Sequence, residues 1–144
     1  MWKNLPAFVF LLATSMAATA QVPRMPVEVS ATTPDMVGQR FVYFIKQDIN
    51  SSSTLSLTLN NDLRMQLLIV TLDQDPLRPG NSTAYSVVLT WMNPKQPFPF
   101  YLDQYVGYCG SSRVRECAQD IVANTSNEAE QILRLFKAAA DQQQ

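Results

Sequence analysis

The side chains able to do chemistry are few in this chain. It has 144 residues, two cysteines and no histidine. Serines are numerous, but with no imidazole to act as base a Ser-His-Asp arrangement is excluded. Two thiolates without His or further Cys cannot complete a tetrahedral zinc site. The spacing of Cys109 and Cys117 is not that of a Cys-x-x-Cys redox pair. A close pair in an exported chain reads first as a structural disulfide, and Cys109–Cys117 is assigned as one. The acidic loop Asp73-Gln74-Asp75-Pro76, with Asn81 nearby, has spaced oxygen ligands. A helix–loop–helix calcium loop needs glycine at its sixth position and an acid at its twelfth. Counted from Asp73, those places hold Arg78 and Ala84, so the loop reads as a solvated turn. Glu116 and Asp120, one helical turn apart, read as surface charge beside Arg113 and Arg115. No cofactor or metal is implied, and no catalytic residue is assigned.

Two sets of residues are candidates for binding. Ser111, Ser112 and Arg113 lie where a helix is expected to start, and a helix start can hold an anion. The aromatic set Tyr85, Trp91, Phe98, Phe100, Tyr101, Tyr105 and Tyr108 is concentrated in the last two expected strands. Part of it must be core. The outward part, with Tyr101, Tyr105 and Tyr108 as candidate contacts, would form a recognition face, because Tyr and Trp are favoured at interfaces.

The elements that position these residues follow from periodicity. Residues 1–20 show the three parts of a secretory signal peptide: Lys3, an apolar stretch from Leu5 to Met16, and Ala18-Thr19-Ala20 before a cut at Gln21. The strongly apolar part is shorter than the ~20 residues of a membrane span. The expected division is a signal peptide over 1–20 and a single domain over 21–144, a common size for one domain. Lys3 is the one charge lost on cleavage, which leaves ten basic and twelve acidic side chains, a net of −2. Such a surface gives no electrostatic reason to bind nucleic acid or anionic lipid. At 47% hydrophobic and 16% charged, the composition is that of a packed domain rather than a disordered one.

Val27–Ala31 alternates as a short strand. Thr33-Pro34-Asp35 supplies a helix start, with Val37, Phe41, Phe44, Ile45 and Ile49 on one face of the helix that follows. Thr54–Leu59 is a half-buried strand by its period of two. The apolar run Met65–Leu72 predicts a strand in mid-sheet, buried on both faces. Ala84–Met92 is a further strand, and Phe98–Val106 a weaker one placed at an edge by Pro97 and Pro99. Gly107–Gly110 is expected to bend the chain, and Ser111 or Ser112 to cap a helix carrying Val114, Cys117, Ala118, Ile121 and Val122. Thr125-Ser126-Asn127-Glu128 has the form of a capping box and predicts a separate last helix bearing Ile132, Leu135 and Phe136.

The expected fold is α+β: an antiparallel meander of four to five strands, with an N-terminal helix and two C-terminal helices on one face. At the level of architecture alone this resembles small α+β accessory domains of bacterial envelope proteins. The leader, the missing catalytic motif and the aromatic face point to a periplasmic or secreted, non-enzymatic binding or accessory protein that contacts an envelope partner, with a small envelope enzyme or enzyme inhibitor as the alternative. Asn50, Asn81 and Asn124 each open an Asn-x-Ser/Thr triplet, a glycan acceptor in a eukaryotic secretory pathway.

Overall fold

A computed structural model describes residues 24–75 and 77–142. The expected leader over 1–20, the cut at Gln21, Pro76 of the acidic loop and the terminal Gln143-Gln144 lie outside the described residues. The elements run β1 (Met25–Thr32), α1 (Met36–Ser51), β2 (Leu55–Leu57), β3 (Arg64–Asp73), β4 (Ser82–Met92), β5 (Phe100–Gly110) and α2 (Val114–Asp141). The five strands form one sheet in the order β2-β1-β3-β4-β5.

The sheet is mixed, which corrects the expected antiparallel meander. β1 pairs parallel with both β2 and β3, while β3, β4 and β5 are antiparallel. The reason lies in α1. A helix between two strands returns the chain to the end where it began, so β1-α1-β2 can only be a parallel crossover. Register then explains why β2 is so short. Val27 of β1 stands level with Leu57, the last residue of β2, and with Met65, at the start of β3. The chain leaves β2 where β3 must begin and steps past β1 in residues 58–63, tied by the Thr58 amide to the Val27 carbonyl at 3.0 Å. Arg64 anchors the landing. Its guanidinium donates to Glu28 of β1 at 2.6 Å, to Asn61 Oδ1 and to the Asp62 carbonyl, and the residue is buried.

Both helices lie on one face of the sheet. α1 has the expected stripe: Val37, Phe41, Ile45 and Ile49 are fully buried, with Val42. Its N-cap is Asp35 rather than Thr33. The Asp35 carboxylate accepts from the Gly38 amide at 2.6 Å and from the Thr71 hydroxyl of β3 at 2.5 Å. One acid thus caps the helix and fixes its start to the central strand, a tertiary bond that local sequence cannot reveal. Beneath the helices, Val27, Met65, Leu67, Ile69, Val87 and Leu89 fill the core.

Among the described residues there are two helices, not three. α2 runs unbroken for 28 residues, and the expected capping box lies inside it. Thr125 is fully buried, and its hydroxyl donates to the Ile121 carbonyl one turn back at 2.8 Å. That bond satisfies the side chain within a helix, so no cap is needed. The buried stripe Val114, Ala118, Ile121, Thr125, Ala129 continues across the supposed break. The start of α2 also differs: Arg113 is the N-cap, without a side-chain capping bond, and Ser111 and Ser112 lie in the preceding turn.

Candidate partner-binding face

β5 begins directly after Pro99 and, as expected, is an edge strand. It does not end at Val106. It continues through Gly107 and Cys109 to Gly110, because β4 offers partners that far: Ser82 pairs with Gly110 and Thr83 with Cys109. Gly107 keeps the strand flat where a side chain would not fit. Tyr85, opposite it in register, lays its ring across the glycine, and an added Cβ would come within 2.7 Å of the phenol oxygen. The other side of that ring stacks on Phe41 at 4.9 Å.

The two cysteines are bonded to each other, with Cα atoms 6.3 Å apart. The bridge joins the end of β5 to the first turn of α2. Ser111, Ser112 and Arg113 occupy the turn it encloses. The Arg113 guanidinium donates to Glu116 at 2.8 Å on the exposed helix surface. Glu116 also supplies the negative charge that the first helical turn favours. The anion that this helix start would attract is therefore a side chain of its own.

The acidic loop is equally self-contained. Asp73 accepts from the amides of Asp75 and Gly80, at 3.0 and 2.9 Å, and Asp75 accepts from the Leu77 amide and pairs with Arg78. Its carboxylates shape the turn.

The aromatic set divides by strand parity. Tyr85, Trp91 and Tyr105 point to the helix side and are partly buried. Burial raises the Tyr105 phenol well above its ordinary pKa, helped by the neighbouring Asp103 carboxylate. Burial, then the charge of Asp120, raises Tyr85 as well. Both rings stay neutral and belong to the fold. Phe100 lies with Trp91, Leu102, Ile132, Leu135 and Phe136 along a groove of about 260 Å³ beside the C-terminal half of α2. Tyr101 and Tyr108 project from the opposite, open face of the sheet. Of the three expected tyrosine contacts, the structure sets these two on one face, at opposite ends of β5, and places Tyr105 on the other.

The open face contains more than the aromatic pattern revealed. Register sets Leu72, Ala84 and Tyr108 in one row across β3, β4 and β5, then Val70, Ser86 and Val106, then Leu68, Val88 and Gln104. Exposure is 37% at Leu68, 55% at Val70, 64% at Leu72, 61% at Tyr101, 75% at Val106 and 70% at Tyr108. The expectation that β3 is buried on both faces is corrected here. Its helix side is buried, and its other side meets no described helix. No charged side chain stands among these rows. The charges beyond Leu68, Glu28 level with Gln66 and Arg64 past it, are paired with each other at the far end of the face. Six large apolar or aromatic groups so exposed present several hundred Å² together, at or above the ~300–600 Å² of the largest apolar patch on a typical monomer.

Shape accompanies composition. Along β4 the outward residues Ser82, Ala84 and Ser86 are small and half-buried. Ridges flank them, with Leu68, Val70 and Leu72 on β3 and Val106 and Tyr108 on β5. The result is a shallow apolar trough between two ridges roughly 10 Å apart, twice the spacing of neighbouring strands.

No protein-family model and no curated protein matches this chain. Solved structures do. The chain is similar in fold to the hypothetical protein CT253 from Chlamydia trachomatis, at 12% identity and a TM-score of 0.51, over 74% of this chain and 98% of that one. A minor lipoprotein from Acinetobacter baumannii matches at 10% identity and a TM-score of 0.40, over 71% and 92%. The uncharacterised lipoprotein B from Nitrosomonas europaea matches at 11% identity and a TM-score of 0.34, over 83% and 86%. Among the described residues, no helix is long and apolar enough to cross a membrane.

Proposed function

We propose that this protein is an exported, non-enzymatic binding or accessory protein of the bacterial envelope, and that it acts by docking a protein partner on the open face of its sheet. The observation that carries this reading is the face itself: Leu68, Val70, Leu72, Tyr101, Val106 and Tyr108 are exposed together on rigid strands, with no charge among them. A solvated sheet face ordinarily alternates to polar residues. Keeping this one apolar forgoes solubility, and a docked partner would compensate by burying it. The leader pattern over residues 1–20 and the Cys109–Cys117 bridge support an oxidising compartment outside the cytosol.

Charging the face tests the reading. Val70→Glu lies on the solvent side of β3, so the variant should fold with an unchanged melting temperature. It should lose at least about tenfold in affinity for whatever partner the intact domain binds, as a buried unpaired charge would cause. Full binding by a folded Val70→Glu domain would place the functional surface elsewhere.

A further inference from the structure

We infer that the sheet holds a second binding site, independent of the open face, and that it takes the C-terminal end of an extended polypeptide beside β1.

The site is an unfilled lane of the sheet. β2 pairs with β1 over Met25–Val27 alone, whereas β1 runs on to Thr32 with β3 on its other side. Two bonds show which groups of β1 point towards β2. The Met25 amide donates to the Thr54 carbonyl at 2.7 Å, and the Val27 carbonyl accepts from the Thr58 amide at 3.0 Å. Direction alternates along a strand, so the N–H and C=O of Val29 and Ala31 point the same way. Among the described residues no strand lies beside them, and Ser30, Ala31 and Thr32 are exposed. A cavity of about 340 Å³ opens where β2 stops, lined by Val29, Lys46, Leu57, Thr58 and Leu59. Val29 shares the parity of the core residue Val27, and Leu57 stands level with Val27. The cavity therefore lies on the helix side of the sheet, beside α1.

Backbone, shape and charge together say what fits. The free groups of Val29 and Ala31 alternate as only another strand can match. The lane is closed at its Val27 end by β2 itself, and no described element closes it at the Thr32 end. A strand that enters must therefore end beside Val29. Running parallel to β1 it would leave its N-terminal ammonium there, and running antiparallel its C-terminal carboxylate. Lys46 decides between them. It is exposed and forms none of the ion pairs among the described residues. The one acid of α1, Asp48, reaches Arg115 of α2, and Glu28 is held by Arg64. An ammonium would meet like charge, whereas a carboxylate would gain charge-assisted bonds from Lys46 and from the Val29 amide. Residues opposite each other in an antiparallel pair project to the same face. The last side chain of the peptide would thus enter the cavity with Val29, Leu57 and Leu59, which suits an apolar residue such as Leu or Phe.

Fluorescence polarisation tests the proposal, with the purified protein and short labelled peptides of mixed sequence that end in Leu or Phe with a free carboxyl group. The expected result is saturable binding. Amidating the peptide end, or Lys46→Glu, should each raise the dissociation constant by roughly tenfold or more. Lys46→Arg should keep the affinity, and Lys46→Glu should not weaken the amidated peptides further, because the charge it answers is gone. Leu59→Asp, at a residue 97% exposed, should weaken binding with no loss of Tm. Bound peptide should also slow hydrogen exchange at the Val29 and Ala31 amides. Val70→Glu should leave all of this unchanged, so that failure here and failure of the open-face reading are separate results. Peptides that do not bind, or that bind equally well when amidated, overturn the proposal. So does full affinity in a folded Lys46→Glu protein. Decanoate that binds as tightly as the peptides would show that the strand edge contributes nothing, and would overturn it too.

Discussion

Opening the bridge between Cys109 and Cys117 should loosen the fold by an amount that can be worked out beforehand. The two residues are eight apart in sequence. For so short a loop the chain-entropy model gives a stabilisation of about 2.5 kcal/mol. The native state should survive, because the first turns of α2 are also held by the burial of Val114, Ala118 and Ile121. Replacing both cysteines by alanine avoids leaving a buried thiol at position 109, and a loss of ~2.5 kcal/mol in a domain of this size corresponds to about 10 °C in Tm. Urea unfolding followed by the fluorescence of Trp91 is the assay, since that ring packs against Phe136 of α2 at 5.7 Å. The reduced wild type and the double variant should both unfold at lower urea than the oxidised wild type. A difference within about 0.5 kcal/mol, the scatter of ordinary surface changes, would mean that the bridge constrains nothing the fold does not already hold. A loss of all helical signal would mean that α2 depends on it entirely. Either result refutes the reasoning.

Other outcomes follow from the packing. Gly38→Ala should destabilise by ~2 kcal/mol or more in urea unfolding, although alanine is the better helix former, because the new methyl would collide with Thr71 and the capping Asp35. Stability should fall at alkaline pH. Tyr85 and Tyr105 hold their protons more tightly in the folded chain than in the unfolded one. Their contribution is therefore fully present below the ordinary tyrosine pKa of about 10 and is lost as pH rises beyond it. Urea midpoints measured on either side of that value should show the decline, and Tyr105→Phe should flatten it. Gly107→Val should lower the Tm sharply, as its side chain would displace the Tyr85 ring, and near-ultraviolet circular dichroism should report the lost aromatic packing.

Much of this architecture is legible in the residues. The α1 stripe from Val37 to Ile49 emerges from spacing alone, and so do the alternating or β-branched runs of β1, β3 and β4. Strand order is less so, since the side of β1 on which the crossover lands decides which strands are neighbours, and nothing local to Leu55–Leu57 records that. The false break at Thr125 has a different origin. A capping box and a helix interior share the same residues, and only the tertiary burial of Thr125 and Ala129 decides between them. The site was partly visible through its tyrosines, Tyr101 and Tyr108. Its remainder was visible but misread. Met65–Leu72 is apolar at both parities, which fits either a strand covered on two sides or one whose second cover comes from outside the domain. In the described residues both helices sit on one face, so the same run of Leu68, Val70 and Leu72 belongs to the open face proposed for docking.

The most direct test of that surface is site-specific photo-crosslinking in the intact envelope. A photoreactive residue at Val70 or Val106, on the open face, should give discrete protein adducts on illumination. The same residue at Asn127, on the exposed side of α2, should give none. Adducts from Asn127 with none from Val70 or Val106 would contradict the account and move the binding surface to the helices.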